Sequence, residues 1–543
     1  MTRLDSRYAV LGAVGLILTA AAAEPVTPGS VGESLKKPPE LRPPPPAPVL
    51  QPPPRKAAGV PASSKQFVVQ RIAFVGNQQY SEAELAPLVA EFLNRPITIA
   101  QLYEATDKVS EFYARNGYAL ASVSVPPQSI TQGTVQLKII EGRIGQISFE
   151  GNKRYSAEVL GEFMPATAVG KAYRAGTLER DLQNLNTLPG LATRGVLKPG
   201  AEYGTTDVVV KVSETRAEAS LSADNYGRKD VGEYRYSAYL NLFNPLGVAD
   251  QLQFLALHSS TNRLNYGYIA YSLPVNNQGA RFNASYGWAH FTVAPPQEVS
   301  GDNRNAEVFF EIPVVRNGAS TLTTSIGASQ TDARANLAAP GGSLPVSQTS
   351  ITIFDIAGTL RHTWPGGAVS QQVLTLRSNF RGAVPAQRDH GEPLRLELDS
   401  QHLQPLPIGV QLLARLNAVY SPEPLPDTEQ FSLGGPGTLR GFPPSEARGD
   451  RGLFGSVTLQ RALVAGPVTL VPRVFIDTGT ATKLDSPSAG KHENESLSSA
   501  GLGLSSYFRS MTLKLDWSYP LDSRPVSDGR NEGRLYGALS VNF

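Results

Sequence analysis

The sequence predicts two small α+β domains followed by a transmembrane antiparallel β-barrel. Three observations support this fold class. A unit in the first half of the chain repeats itself at a spacing of 75 residues. After Arg216 helical periodicity disappears, and short runs of alternating apolar and polar residues continue to the end, separated by Gly, Asn, Asp and Pro. These runs have about the 9–11 residues that a tilted strand needs to cross a membrane.

The repeat defines the two small domains. Residues 72–85 and 147–160 are identical at seven of fourteen positions, which chance does not produce in unrelated segments. Each copy begins with an alternating strand, turns at Gly-Asn and enters a helix that Ser81 or Ser156 caps. A second helix and two further strands follow, so each copy is predicted to have the order β-α-α-β-β.

The region after Arg216 has one apolar face. From Met511 to Tyr519 the odd-numbered residues are apolar and the even-numbered residues are polar, with Lys514 and Asp516 among them. A soluble β-sandwich would also alternate, but it would not place charges between large apolar residues that face outward. The 328 residues of this region are too many for one ordinary sandwich and fit roughly 16 membrane strands with their loops.

The N-terminal residues have the pattern of a secretory signal peptide. Arg3 and Arg7 precede an apolar run too short to span a bilayer, and three Ala residues stand before Glu24. The next stretch, Glu24–Ala62, contains 13 prolines in 39 residues. Because Pro breaks helices and cannot donate to a strand ladder, this stretch is predicted to be a semi-extended tether without helix or strand.

These observations divide the chain into five parts. In order they are a signal peptide, a tether, the first small domain, the second small domain and the barrel: residues 1–23, 24–65, 66–143, 144–215 and 216–543.

Composition excludes several classes of site. The 49 basic and 47 acidic residues leave a formal net charge of +2, which argues against nucleic acid as a partner. The chain has no Cys and only six His without close spacing, so neither a disulfide nor a metal site is predicted. No phosphate-binding loop or nucleophile motif is present, and no cofactor is predicted.

The candidate functional residues lie in a Gly/Pro-rich loop and in a strand that follows it. The loop carries one Arg at its tip, and the strand reads Phe-Ile-Asp-Thr-Gly and is predicted to end on its Asp. An Arg that must hold one position needs a carboxylate partner, and Asp477 is the nearest candidate for Arg440. The alternative is an Arg in solvent and an Asp that opens a turn. The residues singled out are Arg440, Gly441, Phe442, Asp477 and Gly479.

With these features the chain resembles the outer-membrane transporters of two-partner secretion, the haemolysin secretion/activation family. The resemblance covers the whole mature chain. In that family two periplasmic POTRA domains precede a sixteen-stranded barrel, and the repeated unit matches those domains. The segments similar to the family's first POTRA signature are Pro96–Thr98, Tyr113–Tyr118, Val125–Gln128 and Ile140–Ile144.

The resemblance also gives the Arg and Asp motifs a role. Leu439–Phe442 is similar to the family's long extracellular loop, which folds back into the barrel lumen, and Phe475–Gly479 is similar to the wall strand whose Asp the loop Arg contacts. A contact between Arg440 and Asp477 is therefore implied. Some family members carry an N-terminal helix that plugs the pore, but this sequence offers only the short Val31–Lys37 before its prolines, so a plug helix is not expected.

The function implied is export of an unfolded exoprotein whose N-terminal secretion domain is caught by the POTRA domains. The implied location is the outer membrane of a Gram-negative cell, with the POTRA domains in the periplasm. The expected partners are the exoprotein, the machinery that assembles the barrel, and outer-membrane lipid, and the chain is expected to act as a monomer. Phe543 ends an alternating strand on an aromatic residue, as outer-membrane barrels commonly do, and is predicted to be part of the assembly signal.

Three other functions fit parts of the sequence. Asp477-Thr-Gly resembles the catalytic loop of aspartic proteases, but that chemistry needs two carboxylates sharing a proton. The chain has no second such motif, so a homodimer would have to supply it. A barrel-assembly or translocation-assembly factor would share the loop and strand motifs but usually carries more than two POTRA domains. A diffusion porin would not need the repeat. The chain is therefore predicted to be a transporter and not an enzyme.

Overall fold

The computed structural model describes most of the folded chain. The described residues are 27–35, 65–130, 132–295, 298–339, 342–379, 393–484, 493–522, 527–530 and 532–543. The predicted signal peptide and most of the predicted tether lie outside them. No helix in these ranges is long and apolar enough to cross a membrane.

Five helices and eight strands precede the barrel within the described residues. In chain order they are α1 (Pro28–Leu35), β1 (Gln66–Val68), β2 (Arg71–Val75), α2 (Glu82–Val89), a 3₁₀ turn (Ala90–Phe92), β3 (Pro96–Thr98), α3 (Ile99–Arg115), β4 (Ser122–Ser124), β5 (Thr134–Ile140), β6 (Arg143–Glu150), α4 (Ala157–Glu162), α5 (Ala175–Leu185), β7 (Leu191–Pro199) and β8 (Thr205–Glu214).

Two similar α+β domains form from these elements, as the repeat predicts. In the first domain β5 pairs in parallel with β2 and antiparallel with β4. In the second domain β8 pairs in parallel with β6 and antiparallel with β7. Two helices cover each sheet, and each domain has its own apolar core. The Ser81 and Ser156 caps are present, since Ser156 Oγ accepts from Val159 N at 3.1 Å and Ser81 forms a capping box with Glu84.

The Gly-Asn turn of each repeat has a steric cause. Gly76 and Gly151 have φ values of 93° and 98°, in the region that favours glycine. A Cβ at Gly76 would lie 2.3 Å from the carbonyl oxygen of Ile139, and one at Gly151 would lie 2.4 Å from that of Val212. The turn therefore packs directly on the neighbouring strand in both domains, which explains why both copies keep the glycine.

A carboxylate secures the same turn in each domain. Glu141 accepts hydrogen bonds from the backbone amides of residues 78 and 79, at 2.6 and 2.7 Å, and from the phenol of Tyr113 at 3.0 Å. Glu214 accepts from the amides of residues 153–155 at 2.9–3.2 Å. Burial and the neighbouring Glu141 charge raise the pKa of Tyr113 above its usual range, so this phenol remains a donor.

The barrel follows directly. Its strands, with two short strands of a connecting loop (β20 and β21), are β9 (Ala217–Asp224), β10 (Arg235–Phe243), β11 (Gln251–Ser259), β12 (Leu264–Pro274), β13 (Arg281–Thr292), β14 (Val299–Arg316), β15 (Ser320–Ala339), β16 (Gly342–Thr363), β17 (Val369–Ser378), β18 (Leu394–Pro405), β19 (Val410–Tyr420), β20 (Phe431–Leu433), β21 (Ala447–Gly449), β22 (Arg451–Arg461), β23 (Leu463–Ala465), β24 (Val468–Lys483), β25 (Glu493–Phe508), β26 (Met511–Pro520) and β27 (Arg534–Asn542).

The predicted sixteen-stranded antiparallel barrel is confirmed. Neighbouring wall strands pair antiparallel around the whole circumference, and β27 closes the barrel by pairing with β9. β22 and β23 both pair with β24, so they are two pieces of one wall strand. Closure leaves no unpaired edge in the wall, which is the condition for a β-structure that spans a bilayer.

The predicted alternation of apolar and polar residues is also confirmed. In β26, Leu513, Trp517 and Tyr519 point outward and are exposed, whereas Ser518 is fully buried. Asp516 points inward and accepts a hydrogen bond from Arg473 of β24 at 2.7 Å. The wall thus offers apolar side chains to lipid and polar side chains to the lumen.

The stretch predicted to contain no helix does contain one, so that prediction was wrong. α1 begins at Pro28, where Pro is favourable because the first helical amides need no partner. Thr27 and Ser30 cap the helix through two hydrogen bonds. The Thr27 amide donates to Ser30 Oγ at 2.9 Å, and the Ser30 amide donates to Thr27 Oγ1 at 3.3 Å. Residues 29–35 contain no Pro, although the stretch around them is rich in it.

Packing against the inside of the barrel stabilises α1. Val31 is buried in an apolar cluster with inward-facing side chains of the wall, including Leu257, Leu264 and Phe291. Eight residues are too few for a helix that is stable alone in water. Contacts within the barrel therefore stabilise α1, and the sequence around it gives no sign of them.

Candidate functional site inside the barrel

A long loop fills part of the barrel lumen. It connects β19 to β22 over residues 421–450 and carries the short hairpin β20–β21, whose strands pair with each other. Every residue from 441 to 450 is buried. A surface loop would leave such residues exposed, so this loop is folded inward and packed against the wall.

The structure brings Arg440 and Asp477 together. Arg440 Nε donates to Asp477 Oδ2 at 2.9 Å and Nη2 donates to Oδ1 at 2.7 Å, which is the two-pronged geometry that Arg and a carboxylate prefer. The Arg440 backbone N also donates to Oδ2 at 3.3 Å. The Asp477 side chain is fully buried and that of Arg440 is 12% exposed.

Three wall residues complete this ion pair, and two of them, Ser456 and Thr458, were not among the residues that the sequence singled out. Ser456 of β22 lies opposite Asp477 in the strand register, and its hydroxyl donates to Asp477 Oδ1 at 2.7 Å. Thr458 lies two residues further along β22, with its hydroxyl 3.5 Å from Arg440 Nη2. The Arg440 guanidinium lies 3.3 Å from the centroid of the Phe475 ring, where a cation is attracted to the aromatic face. Ser456 and Thr458 were signalled only by alternating positions on the neighbouring strand β22, whereas Phe475 lies on β24 itself, within the Phe475–Gly479 motif.

Asp477 does not end its strand, which corrects the prediction. β24 continues to Lys483, and Asp477 faces the lumen between two outward positions. Asp, Thr and Gly are turn formers in soluble proteins, which led to the wrong strand end. In a barrel, lumen-facing positions carry polar residues in the middle of a strand.

The two glycines of the motifs allow close approach. A Cβ at Gly479 would lie 2.8 Å from Leu433 of the loop hairpin, and a Cβ at Gly441 would lie 2.6 Å from the Cβ of Ser499 in the wall. The Gly441 amide donates to Ser499 Oγ at 3.2 Å. Each glycine therefore lets loop and wall meet without a side chain between them.

Phe442 anchors the tip of the loop. Its side chain is fully buried in a cluster with Leu439 and Leu433 of the loop and Phe454 of the wall. Its carbonyl oxygen accepts a hydrogen bond from the Tyr536 phenol at 2.8 Å. The apolar cluster shields the neighbouring ion pair from lumen water, so the charges of Arg440 and Asp477 interact in a weakly screened environment.

The loop also holds α1. Asp427, in a 3₁₀ turn at the start of the loop, accepts from Thr27 Oγ1 and from the Gly29 amide, both at 2.7 Å. Arg448 pairs with Asp427 and donates to Thr27 Oγ1 at 2.9 Å. One carboxylate thus joins the N-terminus of α1 to the loop, and both occupy the lumen. The expectation that this chain has no N-terminal helix inside the barrel was therefore wrong.

Phe543 lies at the seam that closes the barrel. Its backbone N donates to Ala219 O at 2.9 Å, and its O accepts from Ala219 N at 3.4 Å. Its side chain is 73% exposed. The last residue of the chain therefore pairs with β9, the first strand of the wall.

The arrangement around Asp477 suits an anchor and not acid–base catalysis. Aspartic-protease chemistry needs two carboxylates that share one proton. The Asp477 oxygens are instead occupied by a guanidinium, a backbone amide and a hydroxyl.

Comparison with known proteins identifies the family. The profile described as haemolysin secretion/activation protein ShlB/FhaC/HecB matches residues 204–506, more than half of the chain. The chain belongs to this family. The profile for a ShlB-type POTRA domain matches residues 67–142, and a second POTRA profile, described as surface antigen variable number repeat, matches residues 142–215. The two small domains are therefore POTRA domains, which are periplasmic in this family, and the barrel spans the outer membrane.

Individual relatives agree with this assignment. The heme/hemopexin transporter protein HuxB of Haemophilus influenzae strain 86-028NP is 24% identical over 82% of both chains. The hemolysin transporter protein ShlB of Serratia marcescens is 26% identical over 78% of this chain and 77% of its own. The structure of CdiB from Escherichia coli, 22% identical, aligns with a TM-score of 0.71 over the full length of both chains, which shows the shared fold.

Proposed function

We propose that this member of the haemolysin secretion/activation family exports an unfolded exoprotein through its barrel. The POTRA domains bind the N-terminal part of the exoprotein, the polypeptide passes through the polar lumen, and folding outside the cell prevents its return. The protein acts as a transporter and not as an enzyme. One barrel encloses the whole path, so a single chain is the functional unit, inserted by the barrel-assembly machinery and surrounded by outer-membrane lipid.

The two elements that occupy the lumen, the loop hairpin β20–β21 and α1, support this proposal. The loop hairpin β20–β21 pairs with itself and is joined to the wall by side-chain contacts. α1 is held by Asp427 and a small apolar cluster. Neither element is part of the β-sheet of the wall, so both can be displaced without opening the barrel. A passage for an extended polypeptide is thereby available inside a wall that stays closed.

The POTRA sheets provide a means of capture. The first sheet has the order β2-β5-β4 and the second the order β6-β8-β7, so the outer strands have one side free of a neighbouring strand in their own sheet. An extended segment can pair with such an edge through main-chain hydrogen bonds with little demand on its sequence. This suits capture of an unfolded chain.

Secretion in the native host tests the proposal. A strain lacking this gene is expected to retain the cognate exoprotein in the periplasm, and a plasmid copy of the intact gene is expected to restore its release. Immunoblots of cell and medium fractions measure this. A barrel without the POTRA domains, produced at equal abundance, serves as the control for simple leakage. Normal release in the deletion strain would reject the proposed function.

The periplasmic unit, residues 66–214, is expected to fold by itself. Each POTRA domain has its own core, and the fragment should unfold cooperatively and bind the N-terminal segment of the exoprotein. Circular dichroism and titration calorimetry measure the two properties. Gly151→Val is the destabilised control, because its Cβ would lie 2.4 Å from a carbonyl oxygen. A disordered wild-type fragment, or one that does not bind, would contradict this expectation.

Deletion of Phe543 is expected to lower the amount of barrel inserted in the membrane. The deletion removes two backbone hydrogen bonds to Ala219 at the closing seam and the terminal aromatic side chain. Heat-modifiable mobility in gels of outer-membrane fractions measures folded barrel. Phe543→Tyr keeps both features and should insert normally. Insertion of the deletion variant at wild-type levels would show that the residue is not part of an assembly signal.

A further inference from the structure

A polar cleft lies at the joint of the two POTRA domains. Its volume is about 330 Å³. The first domain contributes Gln78 and Gln79 from the Gly-Asn turn and Tyr118 after α3. The second contributes the start of β6, the segment between α4 and α5, and the first turn of α5. The cleft is therefore built by both domains.

Hydrogen bonds across the joint fix the shape of the cleft. The Ala175 amide donates to Gly117 O at 3.0 Å, and the Tyr173 amide donates to Gly142 O at 2.8 Å. Arg143, the first residue of β6, donates to the side chain of Gln78 across the joint and to Gly170 O at 3.0 Å within the second domain. The cleft is thus formed before any ligand arrives, which lowers the entropic cost of binding.

The cleft is positively charged. Arg143, Lys171 and Arg174 are among its lining residues, and no Asp or Glu is. Arg174 lies over the Tyr118 ring at 5.9 Å from the centroid. The Lys171 side chain has no hydrogen bond or ion pair within the described part of the chain. Glu141, behind the turn, is occupied by the two backbone amides and the phenol described above.

The cleft is continuous with a free sheet edge. β6 is an outer strand of the second POTRA sheet, and its first two residues, Arg143 and Ile144, line the cleft. Residues 170–172 cover the β6 edge only at Arg143 and Ile144. The Ile144 amide donates to Lys171 O at 2.9 Å, and the Gly170 amide donates to Ile144 O at 2.8 Å. An extended polypeptide paired with the rest of β6 would therefore bring its next residues to the cleft.

We propose that this cleft binds acidic side chains of an extended segment of the exoprotein, with Lys171 and Arg174 as the contacting cations. This inference rests on the proposed function and names the chemistry by which the POTRA domains select a segment. Main-chain pairing with β6 accepts any sequence, whereas a carboxylate in the cleft pairs with cations held in a concave polar site. Charge complementarity of this kind contributes specificity and speeds encounter.

Binding of a defined peptide to the full-length protein in detergent micelles tests the inference. The probe is a fluorescein-labelled peptide of alternating Glu and Thr, and its counterpart replaces Glu with Gln. Fluorescence anisotropy is expected to show that wild type binds the Glu peptide about tenfold or more tightly than the Gln peptide, and less tightly as salt is raised. The double variant Lys171→Glu with Arg174→Glu is expected to bind the Glu peptide about tenfold or more weakly than wild type does.

The control variant is Lys153→Glu, an exposed residue of the same domain outside the cleft, which should bind the Glu peptide like wild type. The inference would be overturned if the cleft variant bound the Glu peptide as tightly as wild type, or if wild type bound the two peptides equally. It would also be overturned if inorganic phosphate displaced the Glu peptide completely at concentrations near the dissociation constant of that peptide. The peptide assay needs no secretion, so release of exoprotein by wild type separates a failure of this inference from a failure of the proposed function.

Discussion

Arg440→Ala and Asp477→Ala are each expected to depress secretion of the exoprotein by at least about tenfold, the factor that 1.4 kcal/mol produces. Each change strands the other charge in a site where Asp477 is fully buried. Leaving a buried charge without its partner costs roughly 3–5 kcal/mol. The loop would no longer be held to β24, and the path that it borders would lose its defined shape. Exoprotein in the medium, divided by barrel abundance, measures the effect.

The double variant is expected to secrete little less than either single variant. Non-additivity of this kind indicates that two side chains act through one shared interaction. Arg473→Ala is the matched control. Arg473 lies on β24, like Asp477, and pairs with Asp516 at 2.7 Å, but Asp516 belongs to the wall and not to the loop. Full secretion by Arg440→Ala would remove the functional role of the pair, and strictly additive effects would contradict the shared contact.

Asp427→Ala is expected to raise the ion conductance of the barrel in planar bilayers severalfold. Asp427 accepts the hydroxyl of Thr27 and the amide of Gly29 and pairs with Arg448, so its loss frees the N-terminus of α1. A helix with its side chains is about 10–12 Å wide. Its release would therefore open a large part of the lumen to ions, and single-channel recording measures the change.

Glu423→Ala is the control for this experiment. Glu423 belongs to the same loop and is exposed, so the substitution removes the same charge without touching α1. It should conduct like wild type. A conductance of Asp427→Ala equal to that of Glu423→Ala would show that α1 does not restrict the lumen.

The barrel was predictable because membrane strands leave a regular record. Residues 511–519 alternate without interruption, and the structure places their apolar side chains outward as expected. The two POTRA domains were predictable because the same Gly-Asn turn, which only glycine fits, occurs in both copies of the repeat. At both Gly76 and Gly151, an added Cβ atom would lie less than 2.5 Å from a carbonyl oxygen of a neighbouring strand.

The parts that could not be predicted depend on contacts between distant segments. α1 is too short to form from its own propensity, and the buried environment of Val31 that stabilises it comes from wall strands more than two hundred residues away. Ser456 and Thr458 join the site only through the register of β22 with β24. The order Asp-Thr-Gly predicts a turn after Asp477, because the sequence does not reveal that position 477 faces the lumen in the middle of β24.

Translocation into sealed vesicles tests the central claim most directly. Proteoliposomes that contain only this protein, with the POTRA domains outside, are mixed with urea-unfolded exoprotein that is rapidly diluted. Wild type is expected to make the exoprotein resistant to added protease until detergent opens the vesicles, whereas vesicles with Arg440→Ala should protect much less. Exoprotein that stays fully protease-sensitive with well-folded wild-type barrels would contradict the account.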